Sequence, residues 1–162
     1  MPNKALIAGI NNYKSISGLN GCLTDVKNME RLLRESFGFE SPSIRTLTDG
    51  DVVWDAIIDG FNWLGEDAEA GDRLVFHFSG HGSFIPSDDD DETDDELICL
   101  WDMDWGDPNS FMRDDDLRDL TEIIPTGPRL TMVLDCCHSG TGTRAFSAAR
   151  YSLRRPRRQS RE

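Results

Sequence analysis

Residues 130–140 read Leu130-Thr131-Met132-Val133-Leu134-Asp135-Cys136-Cys137-His138-Ser139-Gly140. An apolar and β-branched run leads straight into an acid, two thiols, an imidazole and a glycine. Such a run is a buried strand, and open α/β sheets gather ligands and reactive groups at the carboxyl ends of their strands. Residues 74–82 repeat the form as Leu74-Val75-Phe76-His77-Phe78-Ser79-Gly80-His81-Gly82. If the two strands lie side by side and parallel, Cys137 and His81, 56 residues apart in the chain, reach one edge of the sheet together. A thiol is mostly protonated at neutral pH and needs a base beside it, so a cysteine–histidine pair is the minimum apparatus of nucleophilic acyl transfer. Successive strand residues face opposite ways, so only one of Cys136 and Cys137 can meet the imidazole. Cys136 and the strand-interior His77 then read as core residues, His77 hydrogen-bonded within the packing.

The 162 residues suit one domain with a core of its own. No apolar run approaches a membrane span and the N-terminus has no signal-peptide pattern, so a cytoplasmic protein with no membrane association is expected. Cys22, Cys99, Cys136 and Cys137 are then reduced thiols rather than a disulfide framework. The net charge of −13 conceals two regions. Residues 1–143 carry 29 acids against ten bases, an unfavourable surface for nucleic acid. Residues 144–162 carry seven arginines and one glutamate and read as a basic, flexible tail or linker.

Residues 4–10 form an apolar run ending at Asn11-Asn12, a first strand. Residues 19–37 space Leu23, Val26, Met29, Leu32 and Leu33 as one face of a helix, with Gly38 as its stop. A weak strand at 44–47 and a turn at Thr48-Asp49-Gly50 precede a second amphipathic helix over 51–67. Beyond the acidic residues come a short strand over 97–101, a helix over 114–124, and the strand ending at Cys137. Strands alternating with helices predict a parallel α/β sheet with helices on both faces.

The paired motifs His77-Phe-Ser-Gly-His81-Gly82 and Asp135-Cys-Cys-His-Ser-Gly140 resemble those of the caspase-like cysteine peptidases, and among them the metacaspases and their bacterial relatives, the orthocaspases. The resemblance spans residues 4–140. It implies a caspase-like three-layer α/β sandwich, with a mostly parallel central sheet flanked by helices, over a catalytic domain of residues 1–143. It implies His81 and Cys137 as the catalytic dyad, with the amides of Gly82 and Cys137 receiving the oxyanion. Positions Cys22, Asp25, Ser79 and Asp135 match the family's acidic pocket for the residue before the cleaved bond. Buried carboxylates left unpaired are costly, so such a pocket selects arginine or lysine. Peptides or proteins carrying those residues are the implied substrates, and a small subunit the implied partner.

Residues 88–116 hold 14 acids and one base, Arg113. Residues 88–96 cannot pack and are expected as a loop (86–96 overall), and oxygen ligands in such number suit calcium. The resemblance implies Asp95, Glu96, Asp114 and Asp115 as calcium ligands and calcium as an activator. Where the family often carries an acid a few residues past the nucleophile, this chain has Thr143-Arg144. The arginines at 144–161 suit the acidic pocket and predict self-processing. Two other readings differ in class: a non-catalytic caspase-like module that binds calcium or a partner and is inactive without the small subunit, and a redox or zinc protein. The intact Cys137/His81 pair argues against the first, and the lack of CxxC or four-ligand spacing against the second.

Overall fold

A computed structural model describes residues 3–86 and 94–138, the last two by their backbone. Residues 87–93 of the expected acidic loop, the Ser139-Gly140 end of the second motif and the basic tail lie outside the described residues. Strand β1 (Lys4–Gly9) leads to helix α1 (Cys22–Phe37), strand β2 (Ile44–Thr48) and helix α2 (Trp54–Gly65). Strands β3 (Arg73–Pro86), β4 (Asp94–Cys99) and β5 (Phe111–Arg113) follow, then helix α3 (Asp114–Thr121) and strand β6 (Arg129–His138).

The sheet order is β2-β1-β3-β4-β5, with β6 on β3. β1 runs parallel to β2 and β3, and β3 parallel to β6. The β3–β4 and β4–β5 pairs are antiparallel, so the sheet is mixed rather than the parallel one that alternation alone suggested. The reason is the length of β3. It does not end at His81 but runs on through both glycines for 14 residues, and its far half pairs with β4.

Strand alternation sorts the side chains into two cores. Leu6, Ala8, Phe76, Phe78 and Ile98 face α2 and α3, where Ile57, Phe61, Leu64 and Leu117 complete one cluster. Ala5, Ile7 and Val75 face α1 and pack on Val26, Leu33 and Phe39. The result is three layers, with α1 on one face and α2 and α3 on the other. Phe61 and Phe76 are fully buried with ring centroids 5.0 Å apart. Each such side chain withdrawn from water contributes about 1.5–3 kcal/mol. Gly60 of α2 lies so close over Leu6 that a Cβ there would overlap its side chain, which sets how near α2 approaches the sheet.

The helices begin and end where local chemistry dictates. Gly38 stops α1 with φ 71°, and the following Phe39 N–H reaches back to the Leu33 carbonyl. The Asp116 carboxylate accepts the Arg113 N–H at 2.9 Å at the start of α3, whose first turn is wholly acidic, as the helix dipole favours. Two sequence expectations require correction here. Residues 94–96 belong to β4 rather than to an unpacked loop, with Asp95 buried, because β3 extends far enough to offer them a partner. The third helix ends at Thr121, short of Ile124, because the turn through Pro125 to the β6 strand begins there.

Candidate active site

The register of β3 against β6 brings the two motifs together. Ser79 pairs with Asp135 across β3 and β6, Gly80 with Cys136, His81 with Cys137 and Gly82 with His138. The backbone positions of Cys137 and His81 are therefore direct neighbours, near the carboxyl end of β6 and where its parallel pairing with β3 runs out. The neighbouring thiol has gone elsewhere: Cys136 packs with Leu130, Met132 and Leu134 against the cluster under α2 and α3. A Cβ added at Gly82 would stand 3.1 Å from the Cys136 Sγ, so the glycine admits that sulfur.

His81 is held at both ends. Its Nε2 lies 2.9 Å from the Ser17 carbonyl oxygen, and a carbonyl only accepts, so Nε2 carries the proton. In the neutral ring the lone pair is then on Nδ1, the nitrogen left for accepting a proton. The backbone N–H of His81 donates to the Tyr13 hydroxyl at 2.7 Å, and the two rings lie 5.0 Å apart, tilted by 45°.

On the α1 face, Ser79 is buried and its hydroxyl donates to Asp25 Oδ2 at 3.0 Å. Cys22, the first residue of α1, is buried beside it. Burial pushes the Cys22 thiol up, a hydrogen bond with Ser79 opposes this, and the charges of Asp25 and Asp135 push it further, so the thiol stays protonated. Cys22, Asp25, Ser79 and Asp135 thus converge from α1, β3 and β6. One expectation is corrected: the carboxylates are not buried, since Asp25 is half-buried and Asp135 exposed on the outer strand.

His77 lies one layer deeper on the same face, 3 % exposed, with no hydrogen-bond partner for Nδ1, against the satisfied core histidine expected. Burial lowers its pKa, with Asp135 and Asp25 pulling the other way. The unfolded chain therefore takes up a proton that the folded one resists. Stability is complete above the ordinary imidazole value of about 6.5 and declines as pH falls through it. Denaturant titrations at about pH 7.5 and 5.5 should show this loss in the wild type, and His77→Gln should flatten it.

Among the expected metal ligands, Asp95 is buried and its Oδ2 lies 3.3 Å from the Arg113 guanidinium. Glu96 is the next strand residue and leaves the opposite face of β4. Burial raises the Asp114 pKa, and the charges of Asp115 and Asp95 add to it. These hard carboxylate oxygens suit calcium in chemistry. Yet among the described residues no three His, Cys, Asp or Glu side chains are grouped closely enough to hold an ion.

Sequence reasoning missed the loop between β1 and α1. Asp49 Oδ1 accepts the N–H groups of Asn11 and Asn12 at 2.8 and 2.9 Å, and the Asn11 side chain accepts the Leu23 N–H at 3.4 Å near the start of α1. The available signal was Asn11-Asn12-Tyr13 following β1, at the same sheet edge as His81. Among the described residues no helix is long and apolar enough to cross a membrane.

A fold of this kind, with a thiol and an imidazole motif on neighbouring parallel strands, defines a class, and comparison with known proteins agrees. The profile of the metacaspase, peptidase C14 domain matches residues 3–145, and the chain belongs to this family of cysteine peptidases. Metacaspase-4 of Arabidopsis thaliana is 38% identical over 152 residues, covering 86% of this chain and 34% of the plant protein. Metacaspase-1 of Meyerozyma guilliermondii is 35% identical over 144 residues, covering 85% of this chain and 35% of the yeast protein. The chain thus spans about a third of these relatives. The crystal structure of a Geobacter sulfurreducens protein superposes with a TM-score of 0.72 at 28% identity, over 87% of this chain and 52% of that one.

Proposed function

We propose that this chain forms the catalytic part of a cysteine endopeptidase that cuts after arginine or lysine. Cys137 is the nucleophile and His81 the base. The observation that carries the reading is the β3–β6 register, which makes residues 81 and 137 neighbours while the Cys136 side chain packs into the core. The Cys137 thiol gives its proton to His81 Nδ1 and its sulfur bonds to the peptide carbonyl carbon. The oxyanion forms against the amides of Gly82 and Cys137. The C–N bond then breaks as His81 returns the proton to the leaving amine, and water releases the acyl group by the same route. A guanidinium or ammonium enters between Asp25 and Asp135, above Ser79 and Cys22. The test is turnover of matched fluorogenic peptides ending in arginine, lysine or aspartate. Cleavage after arginine and lysine alone is expected, and efficient cleavage after aspartate overturns the specificity.

Calcium stimulation belongs to the same proposal, with Asp95, Asp114 and Asp115 as ligands and Glu96 as a candidate from the other face of β4. The ion would supply positive charge where these acids now repel one another. Calorimetry should show calcium uptake in the millimolar range typical of weak sites, weakened in an Asp114→Asn/Asp115→Asn variant. Absence of binding heat, with activity indifferent to chelator, removes the metal. Self-processing in residues 144–161 is expected to shorten the wild type but not Cys137→Ala, read by intact mass after incubation with calcium. A small subunit remains part of the proposal as the partner of this catalytic region.

A further inference from the structure

We propose that Tyr13 is the positioning residue of the histidine, holding its backbone through the hydroxyl and its imidazole through ring contact. The proposal rests on the reading of His81 as base, and it concerns how that base keeps one tautomer and one direction.

The need for such a residue follows from the strand pairing. The β1–β3 ladder ends at Ser79, and the β3–β4 ladder begins at Gly82. The last β1-side bond is from Ile10 N–H to the Ser79 carbonyl at 3.0 Å. In a strand, N–H groups two residues apart point to the same side, so the His81 N–H points into the gap between β1 and β4. The Tyr13 hydroxyl fills that gap. It accepts from His81 at 2.7 Å and donates to the Cys99 carbonyl at 3.3 Å, bridging the strands that no ladder joins there.

Four residues on, the same loop offers the Ser17 carbonyl to Nε2. One loop therefore fixes both the main chain and the ring of His81. That loop is itself tied down: Lys14 N–H bonds to the Trp101 carbonyl at 3.0 Å, Leu19 N–H to the Asn11 carbonyl at 2.8 Å, and the Asp49 carboxylate grips Asn11 and Asn12. Gly80 makes the approach possible, since a Cβ there would stand 2.6 Å from the Tyr13 oxygen. Burial raises the Tyr13 pKa, outweighing the hydrogen bond from His81, so the phenol remains protonated and takes no part in proton transfer. Its role is orientation.

The experiment compares wild type, Tyr13→Phe, Tyr13→Leu and His81→Gln in imidazole ¹⁵N–¹H spectra, thermal unfolding, and steady-state kinetics on an arginyl peptide across pH. His81→Gln assigns the His81 signals. Wild type should show a single Nε2-protonated His81. Tyr13→Phe keeps the ring but loses both hydrogen bonds. It should mix the tautomers and lower kcat about tenfold, with KM within about twofold, the size of one well-placed hydrogen bond. Tyr13→Leu loses the ring as well and should fall further. A wild-type tautomer and wild-type pH profile in both variants, whatever their melting temperatures, overturn the proposal. Full turnover by His81→Gln instead overturns the reading of His81 as base, while the spectra still report whether Tyr13 holds that ring.

Discussion

Replacing Cys137 by alanine is expected to end peptide cleavage, lowering kcat on the order of 10⁴-fold or more, because no other group can form the acyl bond. Cys136→Ala should keep most of the activity. The two thiols are adjacent in sequence, yet Cys136 packs with Leu134 and Met132 beneath α2 and α3, on the face away from Ser79 and Asp25. Removing its sulfur trims a partly buried contact, a cost of about 1 kcal/mol in stability rather than in chemistry. Steady-state turnover of an arginyl peptide, with circular dichroism confirming that both variants fold, separates the two. Equal loss in both would sink the assignment of the nucleophile.

The second large effect concerns specificity. Asp25→Asn and Asp135→Asn should each lower kcat/KM for arginyl peptides by about 10- to 100-fold, the range of one charge-assisted hydrogen bond. Asp25 is expected to be the more sensitive of the two. Its carboxylate is half-buried and fixed by the Ser79 hydroxyl at 3.0 Å, so it is already oriented for a cation. Asp135 is exposed on β6, where water screens its charge until a substrate side chain displaces that water. Ser79→Ala should act through Asp25, freeing the carboxylate to rotate and raising KM without creating a preference for aspartate. A variant of either acid that cleaves arginyl peptides as well as the wild type would remove that acid from the pocket.

The parts legible in advance were those that local pattern encodes. The apolar runs at 4–10 and 74–82 are the buried strands their pattern predicts. The run at 130–136 is a strand as expected but not a buried one: among the described residues it pairs only with β3, and its side chains are half-buried or exposed. The three- and four-residue spacing at 23–33 gave α1. Gly38 marked its end because a left-handed residue there is cheap only for glycine. What failed were inferences about partners. The glycines around His81 looked like a strand's end, but a backbone can continue through glycine when a neighbour supplies the hydrogen bonds, and β4 supplies them. For the same reason Asp94–Glu96 became strand, although their charge alone predicted a loop.

The sequence by itself determined the chemistry available at the site: one thiol, one imidazole and a set of carboxylates, at the tips of two runs that a parallel pair of strands can unite. It also determined, through alternation, that the two adjacent cysteines must part company. Only the tertiary structure decided how the histidine is held. The Ser17 carbonyl that fixes the Nε2 proton, the Tyr13 hydroxyl in the gap between two ladders, and the Asp49 carboxylate that sets the intervening loop lie 64, 68 and 38 residues from the groups they serve. No periodicity carries such pairings, because they are set by where one strand's hydrogen bonds run out and another's begin.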